Sequence, residues 1–446
     1  MFADWVNKMD EPLDAIAEAV RKPVFCFPML QDPLSAESGS PMLLLAARLP
    51  DVLLSREIAR LFQTRATYRI AQGNIDGAIE DKLTLHRLGR QISQTGCLVQ
   101  QLVGCSVENM ANTILVGGNS EHPLTKQQIR RILEGLDALP PRTPHTEAYE
   151  WERFNALSFL QALARKQYLL SDFFPVVLIT SNTANSDVCE SSFDVGEFME
   201  HFMYNALVRS ANLNITYRRL NEIYDAMSVL PTAEFESMIQ TMAPDTHFCF
   251  SCCSIPWGTI PKLLTSNGRG MLLANMFASL CCPAVQAFEE AVRRSECAEN
   301  MQRLTLAVLL YELEHGKMPN EHWAEQIGVP AQYLSCPSNP SPEGKTTYAL
   351  IREPATAPTT GDTVPGSLDT IILIELTEPV PFSEAIVSVD KAVELIRRNN
   401  YIVKMKNSGR RNPHTAGMNV GYCNGAVQFL SNMIDEAELL RMLGRE

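Results

Sequence analysis

The chain has 446 residues, of which 46% are hydrophobic and 20% charged, and a formal net charge of -13. That length exceeds one ordinary core and implies two or three domains with ample apolar material to bury. The acidity excludes nucleic acid or an anionic membrane as the expected partner, because either needs a basic patch to neutralise phosphate.

The N-terminus, MFADWVNKMDEPLDAIAEAV, lacks a basic segment followed by an apolar one, so no secretory signal is expected. Over residues 12–139 apolar side chains recur at three- and four-residue spacing, which predicts helix throughout. The clearest pair covers 58–71 and 75–94. Gly73 suits the left-handed residue that ends one helix, and Asn74 suits the cap that starts the next. The pair looks like a tetratricopeptide-type hairpin, with Ala71, Gly73 and Ala78 as small residues at the approach. No second copy follows at a period of about 34 residues, so one hairpin inside a larger helical domain, 1–139, is expected.

The run Leu139-Pro-Pro-Arg-Thr-Pro144 predicts a loop or hinge. A second helical lobe is expected over 145–260, with helix at 145–170 and 193–229 around a polar, irregular stretch at 181–192, and a further break at 256–270. From 271 to 315 the pattern reads as one very long helix. Pro283 should kink it, and Gly316 ends it beside His315 and Lys317. The uncharged part of this helix, 271–288, contains Asn275, Ser279, Pro283 and Gln286, and this polar content favours a buried helix over a membrane span.

After Pro319 short extended runs follow at 346–351, 370–376, 420–423 and 426–430. The last two flank Asn424-Gly425, which predicts a hairpin with a type I′ turn. The expected fold class is α+β: a mostly α-helical N-terminal region, then a third domain, 271–446, with a long helix on a small antiparallel sheet.

The chemistry that can be tested on sequence is sparse. No G-x-S-x-G, Walker-type loop, H-E-x-x-H or dinucleotide fingerprint occurs, so neither a catalytic residue nor a cofactor is predicted. Glu312 and His315 share a helical face and form the weak metal-ligand candidates, with Glu321 and His322 beyond the turn. Twelve cysteines are present. The isolated Cys249-x-x-Cys252 doublet and the adjacent pairs 252/253 and 281/282 fit small apolar core residues in a reducing compartment. His414 could act as a base near Asp435 or Glu375, but packing beside the hairpin is the expectation, with Gly417 and Gly425 supplying positive φ.

Several ordered motifs together resemble the planctomycete-type prepilin-like family. They are Pro283-Ala-Val-Gln-Ala287, Arg293-Arg-Ser-Glu-Cys297, Tyr311-Glu-Leu-Glu-His-Gly-Lys-Met-Pro319, Cys336-Pro-Ser-Asn-Pro340, Ile371-Ile-Leu-Ile-Glu375, Pro379-Val-Pro-Phe-Ser383 and a C-terminal element similar to the family's H-x9-D-G, here running from His414 to Asn424-Gly425. The likeness spans 271–435. Asn424 stands where the family has Asp, and keeps the turn role without the negative charge. No G-F-T-L-I-E processing site precedes the helix. The resemblance implies a pilin-like unit behind a helical region. It also implies a bridge between Cys297 and Cys336, which would close a loop of about 40 residues and contribute about 3–4 kcal/mol outside a reducing cytosol.

Taken together, the expected function is that of a non-enzymatic scaffold or interaction protein with protein partners, linked to cell-envelope or pilin-like assembly by the resemblance alone. The alternative is a metal-dependent or hydrolytic enzyme with its site between the helical and prepilin-like parts. Localisation is left open by the sequence; cytoplasmic placement is the expectation favoured by the missing signal and the many thiols, with envelope or membrane association as the alternative.

Overall fold

In the computed structural model of the chain the described residues are 2–23, 26, 49–94, 96–114, 123–165, 208–229, 234–235, 237–238, 260–320, 322–352, 370–404, 417–431 and 436–443. Six helices come first: α1 Phe2–Ala19, α2 Pro50–Ala71, α3 Ile75–Ser93, α4 Leu98–Asn112, α5 Lys126–Asp137 and α6 His145–Ala164. The α2–α3 turn forms as its residues dictate. Gly73 takes φ 74°, and the Asn74 side chain accepts the Gly77 N–H at 3.0 Å. A reciprocal cap starts α5, where Thr125 Oγ1 accepts the Gln128 N–H and the Gln128 side chain accepts the Thr125 N–H.

Helices α3 and α4 cross where Gly89 meets Gly104. A Cβ on Gly89 would lie 2.7 Å from the Gly104 carbonyl oxygen, and one on Gly104 would lie 2.5 Å from the Gly89 oxygen. Only glycine lets the backbones come this close. The crossing sets Arg90 beside Glu108, which matters below.

Next come α7 Leu213–Val229, the short α8 Ile260–Leu264 and α9 Ser266–His315, which continues as helix through Pro283. The helix starts five residues before the apolar run at 271 because Thr265 caps it, accepting the Gly268 N–H at 3.0 Å. The break expected over 256–270 narrows, within the described residues from 260 on, to Thr265, an extended residue between α8 and α9. Gly316 ends α9 in the left-handed region at φ 67°.

After α10 Trp323–Gln326 and a 3-10 turn at Ala331–Leu334, strands β1 Lys345–Ile351, β2 Ile371–Pro381, β3 Ile386–Val387, β4 Gly417–Tyr422 and β5 Val427–Ser431 form one sheet in the order β3-β1-β2-β4-β5. Helices α11 Val389–Lys404 and α12 Glu436–Met442 complete the order. The fold is mixed α/β. The sheet is not purely antiparallel as expected, because β3 pairs parallel to β1. A 3-10 turn at Phe382–Glu384 carries the chain from the end of β2 to the far edge of β1, where Leu350 N–H and Arg352 N–H donate to Ala385 and Val387 oxygens.

Three apolar cores share α9 and the sheet. The first joins α1–α5 to the second half of α9 and one sheet face, through residues such as Phe62, Leu85, Leu304, Val308, Trp323 and Leu373. The second packs α6 and α7 on the first half of α9, with Phe159, Tyr224, Leu273, Phe277 and Phe288. The third closes the other sheet face with α11 and α12, through Ile374, Ile396, Val420 and Leu439.

Candidate functional site

Two polar sites lie on opposite sides of one turn of α9, centred on Cys297 and Glu299. On the sheet side, fully buried Cys297 meets Cys336, Tyr348 and Glu375, each with no exposed surface. The Cys297 thiol donates to Glu375 Oε1 at 3.3 Å and lies 3.3 Å from the Tyr348 hydroxyl. One ligand atom from each of Cys297, Cys336 and Glu375 falls within 4.8 Å of the others. Burial first, then Cys336 and Glu375, pushes the Cys297 thiol well above its ordinary value, and burial does the same to the Tyr348 phenol. The Cys297 thiol therefore stays protonated and unreactive unless something stabilises the thiolate.

Four separate parts of the fold supply this cluster. Cys297 comes from α9, Tyr348 from β1 and Glu375 from β2. Cys336 sits just after the 3-10 turn, its N–H donating to Thr347 Oγ1 at 2.6 Å and its carbonyl accepting the Asn339 N–H at 2.9 Å. The expected Cys297–Cys336 proximity is thus present, with both as free thiols. In the sequence Glu375 stands out as part of a strand and as a possible partner of His414, not as a neighbour of the two cysteines. The signal available was a single ionisable residue inside the apolar run 371–376.

On the other side, Glu299 faces the helical region. Arg90 Nη2 and Arg142 Nη2 both pair with Glu299 Oε2, the second at 2.8 Å. Arg303 Nη2 reaches Glu299 Oε1 at 3.1 Å, and its Nη1 pairs with Asp137. Arg142 comes from the Pro-rich loop and binds Glu108 at 2.7 Å, so that loop is pinned to α4 and α9 together. Burial would raise the Glu299 carboxyl, but Arg142 and Arg90 outweigh it and hold it down to about 2. Burial raises the Glu108 carboxyl despite the same arginines. Nearby His86 is fully buried with neither ring nitrogen hydrogen-bonded among the described residues, and burial together with Lys82 keeps it neutral.

Arg90, Arg142, Glu299, Arg303 and Asp137 line a cleft of about 470 Å³. Arg303 lies over the Tyr333 ring, 4.9 Å from its centre, at one side, and Pro140 and Pro141 form another. Nothing local in the sequence marks this network, since its partners are separated by as many as 209 positions.

The hairpin carrying Asn424 and Gly425 differs from the expected two-residue turn. Gly425 N–H donates to the Tyr422 oxygen and Tyr422 N–H to the Ala426 oxygen, which makes a three-residue loop closed by Gly425 at φ 77°. The reason is Asn424, whose side chain accepts the Ala426 N–H at 3.0 Å and bends the backbone locally. The tip rests on α9: Gln302 Nε2 donates to the Gly425 oxygen, and a Cβ on Gly425 would lie 2.8 Å from Leu306. Gly417 lies in β4 against Phe429 in extended backbone and does not take the positive φ expected of it.

His414, Asp435, Glu321, the Cys249–Cys252 doublet and the side chains of Cys281 and Cys282 lie outside the described residues. Glu312 is half-buried, and burial raises its carboxyl. His315 stacks on Tyr311 with ring centres 4.0 Å apart and contacts the Tyr311 oxygen through Nδ1. Among the described residues, no third His, Cys, Asp or Glu ligand atom joins Glu312 and His315. Among them also, no helix is long and apolar enough to cross a membrane. Family models, curated proteins and solved structures give no match to this chain.

Proposed function

We propose that the protein is a non-enzymatic scaffold or interaction protein in which a helical region holds a pilin-like unit through the shared helix α9. The observation that carries this reading is the burial of the apolar first half of α9 inside the chain. Leu272, Leu273, Ala274, Phe277, Val285 and Phe288 are all buried. Phe277 meets Phe159 and Phe288 meets Tyr149 edge to face, at 5.4 and 6.3 Å. Thr216 Oγ1 donates to the Gly270 oxygen at 2.9 Å, tying α7 to the start of α9. A segment that a pilin-like protein would use for assembly is here occupied by the chain's own α6 and α7.

Glu299, the buried carboxylate in the cleft wall, is bound by Arg90, Arg142 and Arg303. That pairing suits a rigid junction better than a proton-transfer site.

The test is sedimentation velocity with electron microscopy of the purified full chain over a wide concentration range. This reading expects small, non-filamentous species throughout. Filaments that disappear when Phe277 and Phe288 are replaced by polar residues would overturn it.

A further inference from the structure

We propose that Cys297, Cys336 and Glu375 bind a structural divalent metal ion of the zinc class. The argument starts from ligand type. Two sulfurs and one carboxylate oxygen form a donor set that suits Zn²⁺, which accepts Cys and Asp/Glu in tetrahedral sites. The geometry agrees. With metal–sulfur and metal–oxygen distances of about 2.3 and 2.0–2.2 Å, the S···O edge of a tetrahedron is about 3.5 Å. The Cys297 Sγ–Glu375 Oε1 separation is 3.3 Å, and the three donor atoms all lie within 4.8 Å of one another.

The surroundings also fit a metal. Glu375 Oε2 accepts the Asn419 N–H at 3.2 Å, which leaves Oε1 turned toward the sulfurs. Ordering of a ligating carboxylate by an outer hydrogen bond is a usual feature of metal sites. Cys336 is fixed by its own N–H and carbonyl bonds. The Tyr348 hydroxyl, 3.3 Å from Cys297 Sγ, is placed to donate to a thiolate or to take the fourth position.

A disulfide is the competing use of the two cysteines, and Glu375 is what separates the two. A carboxylate buried against sulfur is costly unless it is neutralised or faces a cation. A disulfide gives it neither, whereas a divalent ion places a cation beside it and reduces the three negative charges of the two thiolates and the carboxylate to one, with the Tyr348 hydroxyl and the Asn419 N–H as hydrogen-bonding groups around them. Binding releases the two thiol protons to solvent and involves no oxidation or reduction.

The test uses the full chain purified under reducing conditions without chelator. Elemental analysis should find about one zinc per chain that survives dialysis. Exchange with Co²⁺ should give the visible bands of a tetrahedral site and a near-ultraviolet thiolate-to-cobalt band, one equivalent saturating both. This readout on the unaltered chain does not depend on a core variant folding. Cys297→Ser with Cys336→Ser should reduce metal content at least tenfold, and Glu375→Gln should weaken Co²⁺ binding. Three results would each overturn the proposal: a metal-free chain with no thiolate-to-cobalt band, a Cys297–Cys336 disulfide in the mass map of unreduced protein, or zinc retained by the folded double variant.

Discussion

The two halves of α9 are held by different physics. The first half, up to Phe288, is packed by α6 and α7 through aromatic and aliphatic side chains. The second half, from Cys297 on, is apolar as well, but it also buries Glu299 against three arginines on one side and two thiols with a carboxylate on the other. Apolar packing is non-directional and tolerates rearrangement, so it can hold the first half without fixing its register. Charges buried in pairs contribute little net stability, yet removing one partner is costly, and that asymmetry sets how the second half must sit. The comparison suggests that the first half supplies adhesion and the second supplies register.

The largest effect should come from the second half. Glu299→Ala leaves Arg90, Arg142 and Arg303 short of a shared partner, and a loss of about 3–5 kcal/mol is expected by urea unfolding. In the first half, Phe288→Ala should cost about 3–4 kcal/mol through cavity formation alone. Equal sensitivity of both variants to pH would undo the distinction drawn between the halves.

That pH dependence has a definite sign. Glu299 is depressed from 4.5 to about 2 in the folded chain, so its stabilisation is present above pH 4.5 and is lost as pH falls toward 2. Its share is on the order of 3 kcal/mol. Glu108 is shifted upward by burial, so its ionisation works against the fold as pH rises above the ordinary carboxyl range. Acid unfolding of Glu299→Gln should therefore be shallower than that of the unaltered chain between these limits. Phe288→Ala should keep the full slope.

How much of this was visible in the sequence depends on the range of the interaction. Gly73, Asn74, Gly316 and the Asn424-Gly425 hairpin act within a few residues, and they locate the ends of α2, α3, α9 and β4. The turn type is not fixed by the sequence alone, because an Asn-Gly pair fits either a two- or a three-residue loop, and the choice lies in the side-chain bond from Ala426 N–H to Asn424. Thr265 moved the start of α9 because a cap outranks the first apolar residue. The parallel β3 edge and the Arg90–Glu108–Arg142–Glu299 network were not legible, since both depend on chain crossings with no local pattern. Cys297 and Cys336 were singled out through the resemblance, whereas their meeting with Glu375 needed the sheet.

Smaller effects sharpen the comparison. Gly425→Ala places a Cβ at φ 77° and 2.8 Å from Leu306, with an expected cost of about 1–2 kcal/mol in thermal unfolding. Arg130→Ala removes a surface ion pair with Glu314 at the end of α9, and less than about 0.5 kcal/mol should follow. A large loss there would mean that exposed charges also position the second half.

The most direct measurement is hydrogen exchange by mass spectrometry on the purified full chain, comparing peptides over 272–288 with peptides over 301–313. If the first half of α9 is held inside the chain, both should exchange through the same rare opening and show similar, strong protection. Rapid exchange over 272–288 beside slow exchange over 301–313 would contradict the account, because the apolar half would then be free to pair with something outside the chain.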